Sequence, residues 1–572
     1  MPIIERLLAR ATSERSRGSH EYLPVAAVVG GGPGSGAVAP RTPVLFTTRF
    51  LATGFAAALV LLWLLVDPHT PDLAAQVYRA GLFERMGFAV WDEHWYAGHA
   101  LPGYSLLFPP LAALLGLRAV AALSVLASTA LFERLVLGVY GPRARWGAAW
   151  FAVAAVGDIW LGRLTFALGV TCSVAAMFAL VRGHPRWAAL AAALCAAASP
   201  VAAVLLGLAA LTDALTRHSP RALLALALPA AVVAVPLALL FEEGGFEPFP
   251  IRSFAATVAV TLLFLWTLPP GERLLRTGGV LYLLACVLAL VLHTPLGSNI
   301  ERYAVLLAGP LLLCARIGGP DTPATTGTPG ALSGGTSRAM LAIALLGIAL
   351  FTLWGPVRET GAIAGNESTS AAYYAPVLGF LERVQAPPAP LVRVEVPLTR
   401  SHWEAALMAP TISLARGWEK QLEERYDGVL LEPGLTAAGY ERWLHGQAVS
   451  YVALPDTPLD PSSTQEGRLI RGGLPYLHEV FKSRHWAVYA VRDPTPLLEG
   501  LGRLTALGSD SFALRASRPG RFLVRVHWTR FWTLTAGNGR VAEAPGGWTY
   551  VFADRAGALR VAARFSLDRL LG

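Results

Sequence analysis

Between residues 44 and 356 the chain is a succession of long apolar runs, separated by short connectors that carry arginine. In lipid a segment has no water to satisfy its peptide groups, so each run must close its hydrogen bonds internally, as a helix. A spanning helix takes roughly 20 apolar residues. On that measure about eleven spans are expected, at 44–66, 106–136, 147–160, 164–181, 187–199, 200–215, 222–241, 252–269, 277–293, 303–316 and 339–355. The bulk numbers agree. The chain is 54% hydrophobic and 15% charged, where soluble proteins carry about 25% charged residues. The reading is a polytopic α-helical membrane protein.

Two proline sites shape the bundle. Pro109-Pro110 should break the second run into a short interfacial helix and a true span. Ser199-Pro200 should separate two short spans. The connector arginines set the orientation. Arg143 with Arg145, Arg182 with Arg186, Arg217 with Arg221, Arg273 with Arg276, and Arg316 with Arg338 fall consistently on one side. Arg6, Arg10, Arg15 and Arg17 precede the first span, which makes the N-terminus cytoplasmic. Residues 67–105, 157–163, 242–251, 293–302 and everything after about 356 are then extracytoplasmic, and the protein is a multi-pass component of the plasma membrane.

The ends read differently. Residues 1–43 form a basic tail with a Gly/Pro stretch, without the shape of a cleavable signal and expected to be disordered. Residues 317–338 are a Gly/Thr/Pro-rich linker on the cytoplasmic side. Residues 357–572 have a soluble composition. Mixed helix and strand comes first, then short period-two strands such as RFLVRVHWTRFWTL and WTYVFA, which suggest a β-sandwich. The expected fold is therefore a transmembrane domain over 44–356 with a C-terminal extracytoplasmic α/β plus β-sandwich domain. Cys172, Cys195, Cys286 and Cys314 all lie in apolar runs, so no disulfide staples the outer domain. The net charge of +9 comes from arginines scattered over loops, which argues against a nucleic-acid partner.

The chemistry should lie in the connectors facing outward, because an ionisable residue at membrane depth is costly and so a functional candidate. The first of them, DPHTPDLAAQVYRAGLFERMGFAVWDEHWYAGHALPGYS, is too long and too rich in acids and rings for a plain connector. It reads as the roof of an active site at the membrane surface. Asp72 is the favoured general base, with helix capping as its plainer role. Asp92 and Glu93 are the alternative acids. Trp91, His94, Trp95, Tyr96, His99 and Tyr104 would line the substrate loop, or anchor it at the interface. In GDIWLGRL, Asp158 would orient an acceptor, complete a metal site, or simply pair with Arg163. In LGSNIERY, Asn299 and Arg302 suit a phosphate, since a guanidinium binds one bidentately; pairing with Glu301 is the plainer role. Glu242 and Glu243 read as a solvated helix cap. The His spacing is not that of a zinc protease, and whether a divalent cation takes part is left open.

In layout, and in PDLAAQVYRAGLF…W…WYAGHALPGYSLLFPPL, the chain resembles the bacterial integral-membrane glycosyltransferases of the GT-C superfamily. The likeness covers most of the chain. It implies transfer of a sugar from a polyprenyl-phosphate carrier to an envelope glycan, lipid or protein acceptor, beside membrane lipids. It also implies an acid of the first loop as general base or acceptor-positioning group and a basic residue of a late loop on the carrier phosphate. Many members carry two adjacent acids directly behind the first span. Here Asp67 and Asp72 are five apart, and the adjacent pair, Asp92-Glu93, comes twenty residues later. Two other classes compete: a transporter or flippase of a lipid-linked precursor, which should show repeated halves, and a non-catalytic assembly protein. Trp403, Trp418, Trp443, Trp528, Trp532 and Trp548 of the outer domain could stack on sugars, but core packing explains them more simply.

Overall fold

The computed structural model describes residues 50–241, 245–318, 335–566 and 568–571. The N-terminal tail, Glu242, Glu243 and residues 319–334 of the expected 317–338 linker lie outside the described residues, while 335–338 begin a helix rather than continue the linker.

The apolar runs are helices. α1 (Leu51–Val66) ends at Asp67, whose left-handed backbone (φ 49°) caps the helix through its N–H to the Trp63 carbonyl. The chain then turns by 83° into α2 (Pro71–Met86). Pro71 opens that helix where a missing N–H costs nothing. A two-stranded ribbon follows, β1 (Trp91–Asp92) against β2 (His99–Ala100). The next run divides at Gly116 (φ +88°) into a short α3 (Phe108–Leu115) and a long α4 (Leu117–Tyr140), with Pro109 and Pro110 in the first turn of α3 rather than at the break. The bundle continues with α5 (Arg145–Trp160), α6 (Leu164–Val181), α7 (Pro185–Ala198) and α8 (Pro200–Arg217). Ser199 separates α7 from α8 and accepts from the Ala202 N–H. Then come α9 (Leu228–Leu240), α10 (Ile251–Thr267), α11 (Arg273–Val291), α12 (Glu301–Ile317) and α13 (Gly335–Ile363).

Among the described residues six helices are long and apolar enough to cross a membrane, seven if the bent pair α1–α2 counts as one span. The protein is a membrane protein with a largely helical body. Helices α1, α5, α7, α10 and α12 run only 14–17 residues, because tight turns and cap residues cut the apolar runs short.

Beyond α14 (Ala371–Val384) the chain becomes rich in strands. A mixed sheet orders β4 (Ser413–Leu414), β3 (Arg393–Glu395), β5 (Val449–Pro455), β7 (Trp486–Val491) and β6 (Leu477–Lys482), with β3 parallel to both neighbours. α15 (Lys420–Leu431), α16 (Ala437–Gly446) and α17 (Thr464–Arg471) complete this part. Inside it Arg416 is fully buried among Glu395, Glu423, Asp427 and Glu466.

Two four-stranded antiparallel sheets end the chain. One orders β12 (Trp532–Ala536), β15 (Gly557–Ala563), β10 (Ser511–Ala516) and β9 (Gly502–Gly508). The other orders β13 (Gly539–Ala544), β14 (Trp548–Ala553), β11 (Gly520–His527) and β8 (Leu498–Glu499). Phe512, Phe522, Val551 and Val561 form their shared core. That core also takes in Trp91 of the ribbon and Phe241 behind α9, so the sandwich rests directly on the end of a bundle helix.

Candidate functional site

The site forms where the start of α2 meets the α5–α6 turn. Thr70 Oγ1 donates to the Trp160 carbonyl at 3.0 Å and ties the entry of α2 to the end of α5. Gly162 lets the turn close. Its φ is +83°, and a Cβ there would lie 2.3 Å from the Leu73 nitrogen, a backbone approach open only to glycine. This close approach gathers three charges. Asp72 Oδ2 lies 3.6 Å from Arg163 Nε, and Asp158 Oδ1 lies 3.7 Å from Arg163 Nη1. Asp72 is in the first turn of α2 rather than at its cap, which is Thr70, and its side chain stays 38% exposed while that of Asp158 is 3% exposed. Of the pair, only Asp72 is open to an incoming hydroxyl.

Arg302 joins from the first turn of α12. It donates to Asn299 Oδ1, lies over the Phe166 ring at 5.3 Å, and is within electrostatic reach of Asp72, Asp158 and Arg163. Among the described residues the Arg302 Nε is buried without a hydrogen bond, whereas that of Arg163 faces Asp72 Oδ2 at 3.6 Å. Buried donors normally have a partner, so the spare donor of Arg302 suits an anion. The carboxylates of Asp72 and Asp158 both face Arg163, and no group of three or more His, Cys, Asp or Glu among the described residues could hold a metal ion.

Below Arg302 an apolar cavity of about 310 Å³ runs through the bundle. Phe132, Val170, Phe264 and Tyr282 line it, with Phe166 and Tyr303 at the Arg302 end. The other side of the charged cluster is closed by Tyr104, whose hydroxyl accepts from Gln76 Nε2 at 2.7 Å and whose ring carries Arg79 at 3.7 Å. Arg79 in turn is ion-paired with Glu419 of the C-terminal part. Glu247 completes the rim. Ser298 Oγ donates to it at 2.9 Å, and it feels Lys420, Arg302 and Asp72. Burial pushes its carboxyl above the usual range, with Lys420 opposing.

The remaining loop residues go elsewhere. Asp92 is fully buried, accepting from the Tyr78 hydroxyl at 2.8 Å. Glu93 pairs with the buried Arg393 of β3 at 2.7 Å. The His94 carbonyl accepts from Leu414 at 2.9 Å. Trp95 donates to the Ala405 carbonyl at 3.1 Å and stacks between Tyr78 and His99. Tyr96 donates to the Glu419 carbonyl at 3.1 Å, and Trp91 meets Trp532 edge-on at 6.1 Å. Desolvation pushes Glu93 up to about 8 and His99 down to about 3. The expected roof is thus mostly a clasp between the bundle and the C-terminal part. Its two ends, the start of α2 with Asp72 and Gln76 and the segment at Tyr104, form part of the Asp72 cluster.

The sequence reading passed over Arg79, Glu247, Glu419 and Lys420. Arg79 had a signal: Asp72, Gln76 and Arg79 repeat at helical spacing, so they share one face of α2. Glu247 had none that set it apart from Glu242 and Glu243. No family model matches the chain, and no curated protein matches it.

Proposed function

We propose that the protein is a membrane glycosyltransferase that moves a sugar from a polyprenyl-phosphate carrier to an envelope glycan, lipid or protein acceptor. On this reading the apolar runs make a GT-C-like bundle of about eleven spans, with a cytoplasmic N-terminus and the C-terminal domain outside, as the arginine connectors argue. One observation carries the reading: Phe166 lines the apolar cavity, and Arg302 lies across that same ring. Part of a lipid tail would run in the cavity, and its phosphate would then meet Arg302 and Arg163.

Chemistry at that meeting point follows from charge. The acceptor hydroxyl gives its proton to Asp72. Its oxygen bonds to the anomeric carbon as the bond from that carbon to the phosphate oxygen breaks. The electron pair leaves with the phosphate, where the guanidiniums of Arg302 and Arg163 stabilise it. Asp158 fixes Arg163 from behind as a positioning residue.

The test is binding of undecaprenyl phosphate to the full-length protein in nanodiscs, beside glycan analysis of cells carrying D72N. Undecaprenyl phosphate should bind far more tightly than undecaprenol, and R302A should abolish the difference. D72N should bind the lipid normally yet leave the envelope glycans under-glycosylated. An unchanged glycan profile with a normal level of D72N protein would overturn the enzyme assignment. In that case lipid binding that survives would point to a carrier-lipid transporter, and its absence to an assembly protein.

A further inference from the structure

The C-terminal sandwich carries a second patterned surface, away from the Asp72 cluster. Residues 498–572 hold eleven arginines against five acids. Sheet β13-β14-β11-β8 turns Phe522, Val524 and Val551 inward to the core, so its other face carries the alternate residues. That face pairs arginine with aromatic rings. Phe552 is the cross-strand partner of Arg521 on one side and of Arg540 on the other. Arg540 lies over the Phe552 ring at 3.8 Å, and Arg521 over Tyr550 at 4.8 Å.

One end of this face is already covered. Arg525 sits over Trp548 at 5.7 Å and is neutralised by Glu499 at 2.6 Å. Trp548 stacks on His527, and His527 on Tyr426, each at 4.6 Å. Ala97 of the first loop packs there too. At the other end Arg521 and Arg540 are exposed, and among the described residues neither is in an ion pair.

A guanidinium laid on a ring is held flat by cation–π attraction. Its donors then point sideways in a fixed fork that matches a carboxylate. The two forks lie over neighbouring rings of β14, Phe552 and Tyr550, whose centroids are 5.9 Å apart. One carboxylate fills one fork, and a chain with regularly placed carboxylates fills both. We propose that the open Arg521–Phe552–Arg540 end of this sheet binds an acidic polysaccharide through its uronate carboxylates. The inference stands apart from the donor site, and its test reads binding rather than turnover.

The probe is polygalacturonate, titrated against the full-length protein in detergent micelles, with dextran as the neutral control and phosphatidylglycerol vesicles as the lipid control. Polygalacturonate should bind with an affinity that falls as salt rises, and dextran should not bind. R521A/R540A should weaken the binding by about tenfold or more, as loss of two charge-assisted contacts implies. R521K/R540K, which keeps both charges without the planar fork, should fall between that variant and the wild type. R555A, an exposed arginine on the β14–β15 turn, should change nothing. All these residues are exposed, so the variants should fold. Wild-type affinity in R521A/R540A or in R521K/R540K, equal binding of dextran, or a loss confined to phosphatidylglycerol vesicles would overturn the assignment.

Discussion

Asp72 and Asp158, 86 positions apart in the chain, are held by the same guanidinium, at 3.6 and 3.7 Å from Arg163. The two carboxylates are not equivalent, because only Asp72 is open. D72N removes the proton acceptor while keeping the shape. It should lower transfer by about a hundredfold or more, the usual worth of a general base. Its melting temperature should stay within a few degrees of wild type, as read by thermal unfolding in detergent.

R163A should behave differently. It strands the buried Asp158 carboxylate, and removing one partner of a buried pair costs about 3–5 kcal/mol. Thermal unfolding should show a clear loss of stability along with lost activity. R163A/D158N should recover much of the stability but not the activity, because the phosphate contact remains absent.

Filling the apolar cavity tests the lipid site independently of the charges. Val170 lines it, and V170W places a large ring where the lipid tail would run. Binding of undecaprenyl phosphate should weaken by about tenfold or more, the scale of losing a few buried methylenes. Overpacking should cost about 1–3 kcal/mol of stability. Unchanged lipid affinity would show that the cavity does not hold the tail.

G162A addresses the close approach that builds the cluster. A Cβ at 2.3 Å from the Leu73 nitrogen, on a backbone at φ +83°, forces the α5–α6 turn away from α2. The strain should cost on the order of 1–3 kcal/mol, and activity should fall with it. A fully active, fully stable G162A protein would mean that this contact does not set the site.

The clasp titrates. Glu93 has its carboxyl pushed up to about 8 by burial, against about 4.3 for an exposed glutamate. A raised carboxyl favours the folded state while protonated. Its contribution is complete below about pH 4.3 and is lost as pH rises toward 8. E93Q keeps a neutral partner for Arg393 and should flatten stability across that window. E93A leaves Arg393 buried without its partner and should cost about 3–5 kcal/mol. Denaturant unfolding from pH 5 to 8.5 checks both.

The helical character of the apolar runs was legible because lipid leaves the backbone one local solution, but six helices among the described residues, seven with the bent pair, are long enough to cross where about eleven spans were expected. Pro109-Pro110 and Ser199-Pro200 fall at helix boundaries. Asp72, Asp158, Arg163, Asn299 and Arg302 were legible as candidates because each charge or amide interrupts an otherwise apolar stretch. The WDEHWY segment was not legible as a clasp. A buried ion pair such as Glu93–Arg393, 300 residues apart, leaves no local mark, and acids among aromatic rings look the same in a site as in an interface.

Taken alone, the order of residues determined that this chain has a largely helical, membrane-type body followed by a strand-rich part, and which charges interrupt its apolar runs. Those are consequences of short-range sterics and of solvation, which act along the chain. Only the tertiary structure decided which carboxylates share Arg163, that Arg302 lies over a ring lining the cavity, and that the first loop holds the C-terminal part in place. Such pairings depend on distances between segments far apart in the chain, and packing sets those distances.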